Sequence, residues 1–263
     1  MLGNIWNTIL VTPLFNLLVF LYNLFGGNMG AAIVVLTVLI RGLLIPIVLP
    51  SIKSMQKQRD LQPEISKLQK KFKYDKQKLA QKQMELFKEH GLNPAAGCLN
   101  QVAMIIVLIA LYNVIRQFSV DVDLATINDK LYFASLKFAE GVTINTKFMY
   151  MDLAVPDPLF IIPVLGGLFQ LIASRMMKPF VELGEKAAKK TPDKADDFAY
   201  NMQEQMLYLM PLMTVLIGAS LPSGAALYIL ATTIFSIGQQ YLVSGWGGLT
   251  PLVRKLRLSA PKK

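Results

Sequence analysis

Long uncharged apolar runs alternate along this chain with short segments where the charge is concentrated. Residues 1–40 carry no charged side chain, and neither do 91–115, 158–174 or 205–253. A helix that crosses a bilayer takes roughly 20 mostly apolar residues. The pattern predicts spans at 28–50, 98–118, 158–178, 206–220 and 225–244. The last two share one run, cut at 220–224 by "SLPSG", whose Pro and Gly mark a tight turn. The predicted fold class is an all-α polytopic membrane protein: a five-span helical bundle with a cytoplasmic helical hairpin and an N-terminal interfacial helix. A membrane barrel would show short segments of alternating polarity instead.

The first segment is set apart by a narrow polar stripe. Asn4, Thr8, Thr12 and Asn16 recur every four residues on an otherwise greasy helix that Gly26 and Gly27 end. Residues 1–27 are therefore read as a helix lying in the outer interface, with a sixth span as the competing reading. Residues 51–97 read as the hairpin. Leu61, Ile65, Leu68 and Phe72 form a heptad-like stripe. Pro63 marks a late start to the first helix or weakens it. Asp75 is placed to open the second helix, where Leu79, Met84, Leu86 and Phe87 supply a shorter apolar face. His90-Gly91 followed by Asn93-Pro94 closes it: a C-terminal His, a Gly in the left-handed position and a Pro soon after.

Charge gives these elements an orientation. The 263 residues carry a formal net charge of +10, with a mean hydropathy of +0.43. Residues 51–97 hold eleven Lys and Arg against five acids, whereas 119–157 hold three Lys and six acids. The 179–205 loop holds four Lys behind Arg175 and Lys178, and the 245–263 tail holds five basic residues and no acid. Basic residues near span ends prefer the cytoplasm. One assignment satisfies every loop: N-terminus outside, 51–97 and 179–205 inside, 119–157 outside, C-terminal tail inside. The first residues lack the charged n-region and small-residue cleavage site of a signal peptide, and no Arg-rich transit peptide is visible. A bacterial plasma membrane is the expected location. With one His and one Cys, His90 and Cys98, no metal site of those ligands and no cofactor is expected.

One residue breaks the apolar pattern. In "AAIVVLTVLIRGLLIPIVLP", residues 31–50, Arg41 stands near the middle of the first span. A central arginine costs roughly 2.5–3.5 kcal/mol on insertion scales and nearly always faces a bundle interior or a water-filled cavity. Pro46 and Pro50 are expected to break the helix after it, which would help the side chain reach the cytoplasmic end instead. Thr37 shares its face one turn earlier. Every Asp and Glu of the sequence falls in a loop or near a predicted span end, so the partners on offer are neutral. Gln170 and Ser174 share one face of the third span, and Asn113, Ser220, Ser236 and Gln239 are further options. A hydrolase built on Ser220 or Ser223 would need a base within reach, and His90 is predicted on the other side of the membrane. No phosphate-binding loop or dinucleotide fingerprint appears. The chain is expected not to be an enzyme. Two function classes remain: a binding device for polar or acidic segments of a partner, and a small-molecule or anion transporter using Arg41. The transporter lacks the inverted repeat expected of that class.

Several stretches resemble the YidC family of membrane protein insertases, with its mitochondrial Oxa and chloroplast Albino relatives. They are "PLFNLLVFLYNLFGGNMGAAIVVLTVLIRGLLIPI", the 51–99 hairpin with its "NPAAGCL" exit, "FMYMDLAVPDPLFIIPVLGGLFQ", "LMPLMTVLIGASLPSGAALYIL" and "FSIGQQYLV". They occur in the family's order over nearly the whole chain. The chain departs from the family pattern at Asn100, Met104, Ile106 and Ile229, and a large outer domain and a lipoprotein-type cysteine are not seen, as in a minimal member. The resemblance implies a five-span core around a hydrophilic groove closed toward the outside. Arg41, Thr37, Gln170, Ser174 and Tyr228 are the expected groove residues. The implied activity is insertion and chaperoning of nascent membrane proteins without nucleotide hydrolysis. Implied partners are nascent membrane proteins, with the ribosome and the Sec translocon left open, anionic lipid near the basic hairpin and tail, and no DNA.

Overall fold

Helix signals in the sequence translate into helices almost everywhere the chain is described, which in this computed structural model is residues 5–72, 74–92, 96–118, 124–139, 141–177, 194–250 and 253–254. A π-helical turn at Asn7–Val11 runs into α1, Thr12–Leu24, which Gly26 and Gly27 end with positive φ. Then follow α2 (Met29–Asp60), α3 (Gln62–Lys71), α4 (Lys76–Glu89), α5 (Ala96–Arg116) and the short α6 (Leu124–Asp129). Two short antiparallel strands, β1 (Lys147–Phe148) and β2 (Met151–Asp152), pair Lys147 with Asp152 and Phe148 with Met151. The chain continues as α7 (Ile161–Met177), α8 (Lys194–Ser220) and α9 (Ser223–Ser244). Among the described residues three helical stretches are long and apolar enough to cross a membrane: Asn7–Leu24, Met29–Gln58 and Ser223–Ser244. Val102–Arg116, Ile161–Met177 and Leu207–Ser220 are shorter apolar helices. Asn4, Lys178 at the end of the predicted third span, residues 179–193 of the predicted 179–205 loop and residues 255–263 of the basic tail lie outside the described residues.

Contrary to the break expected from the sequence, α2 passes through Pro46 and Pro50 to Asp60. An internal proline removes one backbone hydrogen bond and crowds the preceding turn, yet an apolar helix whose other bonds are all internal absorbs that loss more cheaply than it exposes further backbone. Pro63 sits at the start of α3, where its missing N–H costs nothing.

The fold divides into two compact units. The first comprises Met1–Ile45, Val102–Gln170 and Pro211–Phe235. Its core draws Phe15 and Leu18 from α1, Ile33 and Leu36 from α2, Leu111 and Val114 from α5, and Ala225 and Tyr228 from α9, all buried. Phe15 stacks on Phe118 with ring centroids 5.4 Å apart. Helices α7 and α8 approach closely at Gly167. A Cβ there would lie 2.3 Å from Val215 Cγ2 and 3.1 Å from the Pro211 carbonyl oxygen, so only glycine admits that spacing.

The second unit comprises Pro46–Gln101, Leu171–Met210 and Ser236–Lys263. Within it α3 and α4 share a small apolar cluster of Leu61, Ile65, Leu86 and Leu92, with Leu68 and Phe87 packed against it. The α4 ends follow the sequence signals. Asp75 accepts a hydrogen bond from the Lys78 N–H at 2.9 Å, His90 Nδ1 lies 2.9 Å from the Leu86 carbonyl oxygen, and Gly91 takes positive φ.

Candidate functional site around Arg41

The helical repeat decides which side chains can meet Arg41. On α2, Thr37 lies one turn before it and fully buried, its hydroxyl donating to the Ile33 carbonyl at 2.7 Å. Such back-bonding satisfies a hydroxyl inside an apolar helix without any partner from another element. Arg41 itself is 5% exposed. One of its guanidinium nitrogens, Nη2, stands 3.2 Å from Met104 Sδ on α5. Tyr228 on α9, also buried, lies close enough to Arg41 to interact with it electrostatically, and interacts in turn with Thr232 one turn further along. Three helices far apart in sequence, α2, α5 and α9, thus converge on one guanidinium within the first unit.

The remaining sequence candidates fall into two groups. Gln170, half-buried near the middle of α7, accepts through Oε1 from the Thr233 hydroxyl at 3.5 Å. Thr233 also donates to its own helix at the Ile229 carbonyl, 2.8 Å away. Ser174, one turn beyond Gln170, belongs to the second unit, whereas Arg41 belongs to the first. Ser220 donates to the Ile217 carbonyl at 2.9 Å and Ser223 to the Val155 carbonyl at 2.8 Å. Both hydroxyls that invited a nucleophile reading serve as backbone ties, and His90 is engaged at the end of α4.

Chemically, this arrangement has the means to bind an anion. A guanidinium presents planar donors suited to carboxylates, and a thioether is a weak acceptor beside one of them. A carboxylate offered in place of the sulfur would form a charge-assisted pair, worth about 1.5–3 kcal/mol against roughly 1 kcal/mol for an ordinary hydrogen bond. Among the described residues no group of three or more His, Cys, Asp or Glu is placed to hold a metal ion.

Two polar devices escaped the sequence reading. Asn16, buried on α1, donates to the carbonyls of Thr12 and Lys130, both at 2.9 Å, and accepts from the Tyr132 N–H at 2.7 Å. Tyr22, at the other end of the same helix, accepts from the Asn145 N–H at 2.8 Å. The polar stripe was visible in the sequence, but nothing there named its partners. Asp157, 1% exposed, accepts from the Leu159 N–H through Oδ1 at 3.0 Å, and through Oδ2 from the Ile162 N–H at 2.9 Å and the Tyr150 hydroxyl at 2.8 Å. Burial pushes this carboxyl up, yet the donors from Ile162, Tyr150, Leu159 and Ile161 outweigh burial and hold it below the ordinary carboxylate value. Tyr150 is pushed up to about 12 by its own desolvation, then by donating to Asp157 and by that group's charge. An Asp just before an apolar run is a helix-start signal, and that signal could have pointed to Asp157.

Comparison with known proteins adds the family. A family described as 60Kd inner membrane protein matches residues 20–247. A protein of Fusobacterium nucleatum named membrane protein insertase YidC is 32% identical over 217 residues, 82% of this chain and 86% of that one. Membrane protein insertase YidC 2 of Bacillus anthracis is 32% identical over 245 residues, 92% and 82% of the two chains. Membrane protein insertase MisCA of Bacillus subtilis is 28% identical over 244 residues, 91% and 79%.

Proposed function

From the premise that the chain belongs to the 60Kd inner membrane protein family, whose relatives are named membrane protein insertases, we propose that it inserts and helps fold nascent membrane proteins through a polar intramembrane site centred on Arg41. The observation that carries the reading is the position of that residue. It stands twelve positions after Met29 in an apolar helix, about 18 Å along the axis at 1.5 Å per residue. That depth is near the middle of a hydrocarbon core of about 30 Å.

Five spans, 28–50, 98–118, 158–178, 206–220 and 225–244, surround the site, and α3 with α4 form a cytoplasmic hairpin that receives the emerging chain. The N-terminus lies outside and the basic tail inside. Helix α1 lies in the outer interface, a reading supported by Asn16 and Tyr22. Residues six positions apart on that helix both bond to the 124–153 segment. A loop bearing Asp129 and Lys130 cannot follow a helix down into hydrocarbon at bearable cost.

The mechanism requires no nucleotide. A polar outer segment of the substrate enters from the cytoplasmic side, where Thr37, Gln170 and Tyr228 line the way to Arg41. An acid in that segment displaces the weak Met104 acceptor and pairs with the guanidinium, which lowers the cost of carrying it through the low-dielectric region. The substrate's apolar helix then partitions into lipid, driven by roughly 25 cal/mol per Å² of apolar surface removed from water. Depletion of the resident insertase and complementation with wild type, Arg41→Ala or Arg41→Lys tests this. Acidic-tailed substrates should fail with Ala and be partly rescued by Lys, which keeps the charge but loses the planar fork. Full insertion of every substrate by the Ala variant refutes an essential charge.

A further inference from the structure

Two residues in the described chain take a left-handed backbone although neither is glycine: Met149, with φ 52°, and Phe160, with φ 55°. Bulky L-residues pay for that conformation through a clash of Cβ with the following carbonyl. Such strain persists where surrounding structure over-determines it, often at functional positions. Both side chains point away from the protein, Met149 being 82% and Phe160 52% exposed. A water-facing turn would place Gly or Asn at these positions and gain on both counts.

The same substructure holds both. Met149 sits at the tip between β1 and β2, and its neighbour Tyr150 donates to Asp157. The Phe160 N–H bonds to the Asp157 carbonyl oxygen at 3.3 Å, closing the turn that delivers Phe160. Between Asp152 and Arg175 the only charged residue is Asp157, and its carboxylate is withdrawn from solvent by the clasp. What remains outward from 153 to 174 is uncharged, while exposed Lys147 and half-buried Asp152 face each other at the base of the Met149 tip. Leu159 and Phe160 lead straight into the exposed apolar positions Ile161, Val164 and Leu168 of α7, spaced three and four residues apart on one helical face.

We infer that the Met149 tip and the Leu159–Phe160 turn form a lipid-docking surface, seated in the outer leaflet of the membrane as the continuation of the lipid-facing stripe of α7. The inference rests on the reading of α7 as a membrane span. The clasp buries the Asp157 carboxylate, the one charge of the 153–174 stretch, and leaves two strained apolar side chains exposed around it. Desolvation of those side chains in the headgroup and upper acyl region offsets the backbone strain. A soluble partner protein would leave the α7 continuity unexplained.

The test uses the full chain in vesicles of phosphatidylethanolamine and phosphatidylglycerol, with the native Cys98 replaced by Ser. Single cysteines at Met149, Phe160, Leu168 and Tyr74 each carry an environment-sensitive fluorophore. Tyr74, 93% exposed at the turn between α3 and α4, is the aqueous reference. Labels at Met149 and Phe160 should emit to the blue of the Tyr74 label. They should be quenched by lipids bearing a shallow nitroxide and resist aqueous iodide. An aqueous signal at either position overturns the proposal. If Leu168 still reads as lipid, only this proposal falls; if Leu168 is also aqueous, the spanning reading of α7 falls with it. Shielding from iodide without quenching by nitroxide lipid would assign the surface to a second copy of the chain, and also overturns the lipid assignment.

Discussion

Replacing Asp157 by Asn keeps the shape of the clasp and changes only its chemistry. The carboxylate accepts three hydrogen bonds from Leu159, Ile162 and Tyr150 at the start of α7. An Asn side chain offers one acceptor oxygen and turns an NH2 donor toward N–H or O–H groups that are themselves donors. If the amide oxygen faces Ile162 and Tyr150, the Leu159 bond is lost at about 1.5–3 kcal/mol, and the other two fall from charge-assisted to neutral strength at roughly 0.5–1 kcal/mol each. The lost negative charge near the helix N-terminus adds about 0.5 kcal/mol. The expected destabilisation is about 3–5.5 kcal/mol, a fall of roughly 6–22 °C in the unfolding midpoint at 2–4 °C per kcal/mol. Thermal unfolding in detergent, followed by intrinsic fluorescence, reads it. Tyr150→Phe alone removes one donor and should cost about 1–2 kcal/mol. The double variant should fall short of the sum by about 1 kcal/mol, because Asp157→Asn has already weakened the bond that Tyr150→Phe removes. The pH dependence has a fixed sign on each side. Asp157, held below the ordinary carboxylate value, stabilises above that value, and the contribution is lost as pH falls through the lowered one. Tyr150, raised to about 12, stabilises fully below its ordinary value near 10 and loses the contribution as pH rises toward 12. An Asp157→Asn midpoint within about a degree of wild type, or additive variants, would refute the account of the clasp.

Other expectations follow from single contacts. Met104→Gln places a strong amide acceptor beside Arg41 Nη2, so insertion of acidic-tailed substrates should slow several-fold in a vesicle insertion assay while Met104→Leu leaves it near wild type. Gly167→Ala drives a methyl into Val215 and the Pro211 carbonyl and should destabilise by about 1–3 kcal/mol through overpacking, read by the same melting experiment. Asn16→Ala leaves the Lys130 carbonyl and the Tyr132 N–H without that partner. It should cost about 2 kcal/mol and speed proteolysis near residue 130 in detergent, whereas unchanged cleavage would show that α1 is held elsewhere.

The helices were legible because each is written locally. Uncharged runs, the "SLPSG" interruption between α8 and α9, the Asp75 start and the His90-Gly91 stop of α4 all depend on residues within a turn or two of one another. Pro46 and Pro50 misled for the same reason. A proline announces a local cost, but whether a helix ends there depends on whether the rest of its length makes continuing worthwhile, and α2 continues. Arg41 was legible as an anomaly, a charge within an apolar run. Its surroundings were not. Met104 lies 63 residues away in sequence, and Tyr228 lies on the last long helix. No periodicity within one helix names the residue that faces it from another.

The amino-acid order by itself determined that this is a helical membrane protein of the insertase family, with one arginine where hydrocarbon is expected, because hydropathy and helix-end chemistry act over short distances. Only the tertiary structure decided that a thioether and a phenol meet that arginine, that Asn16 and Tyr22 fasten the first helix to a distant loop, and that Asp157 is hidden in a clasp. Those outcomes depend on which faces pack together, and packing is settled by shape and by the need to satisfy every buried polar group at once.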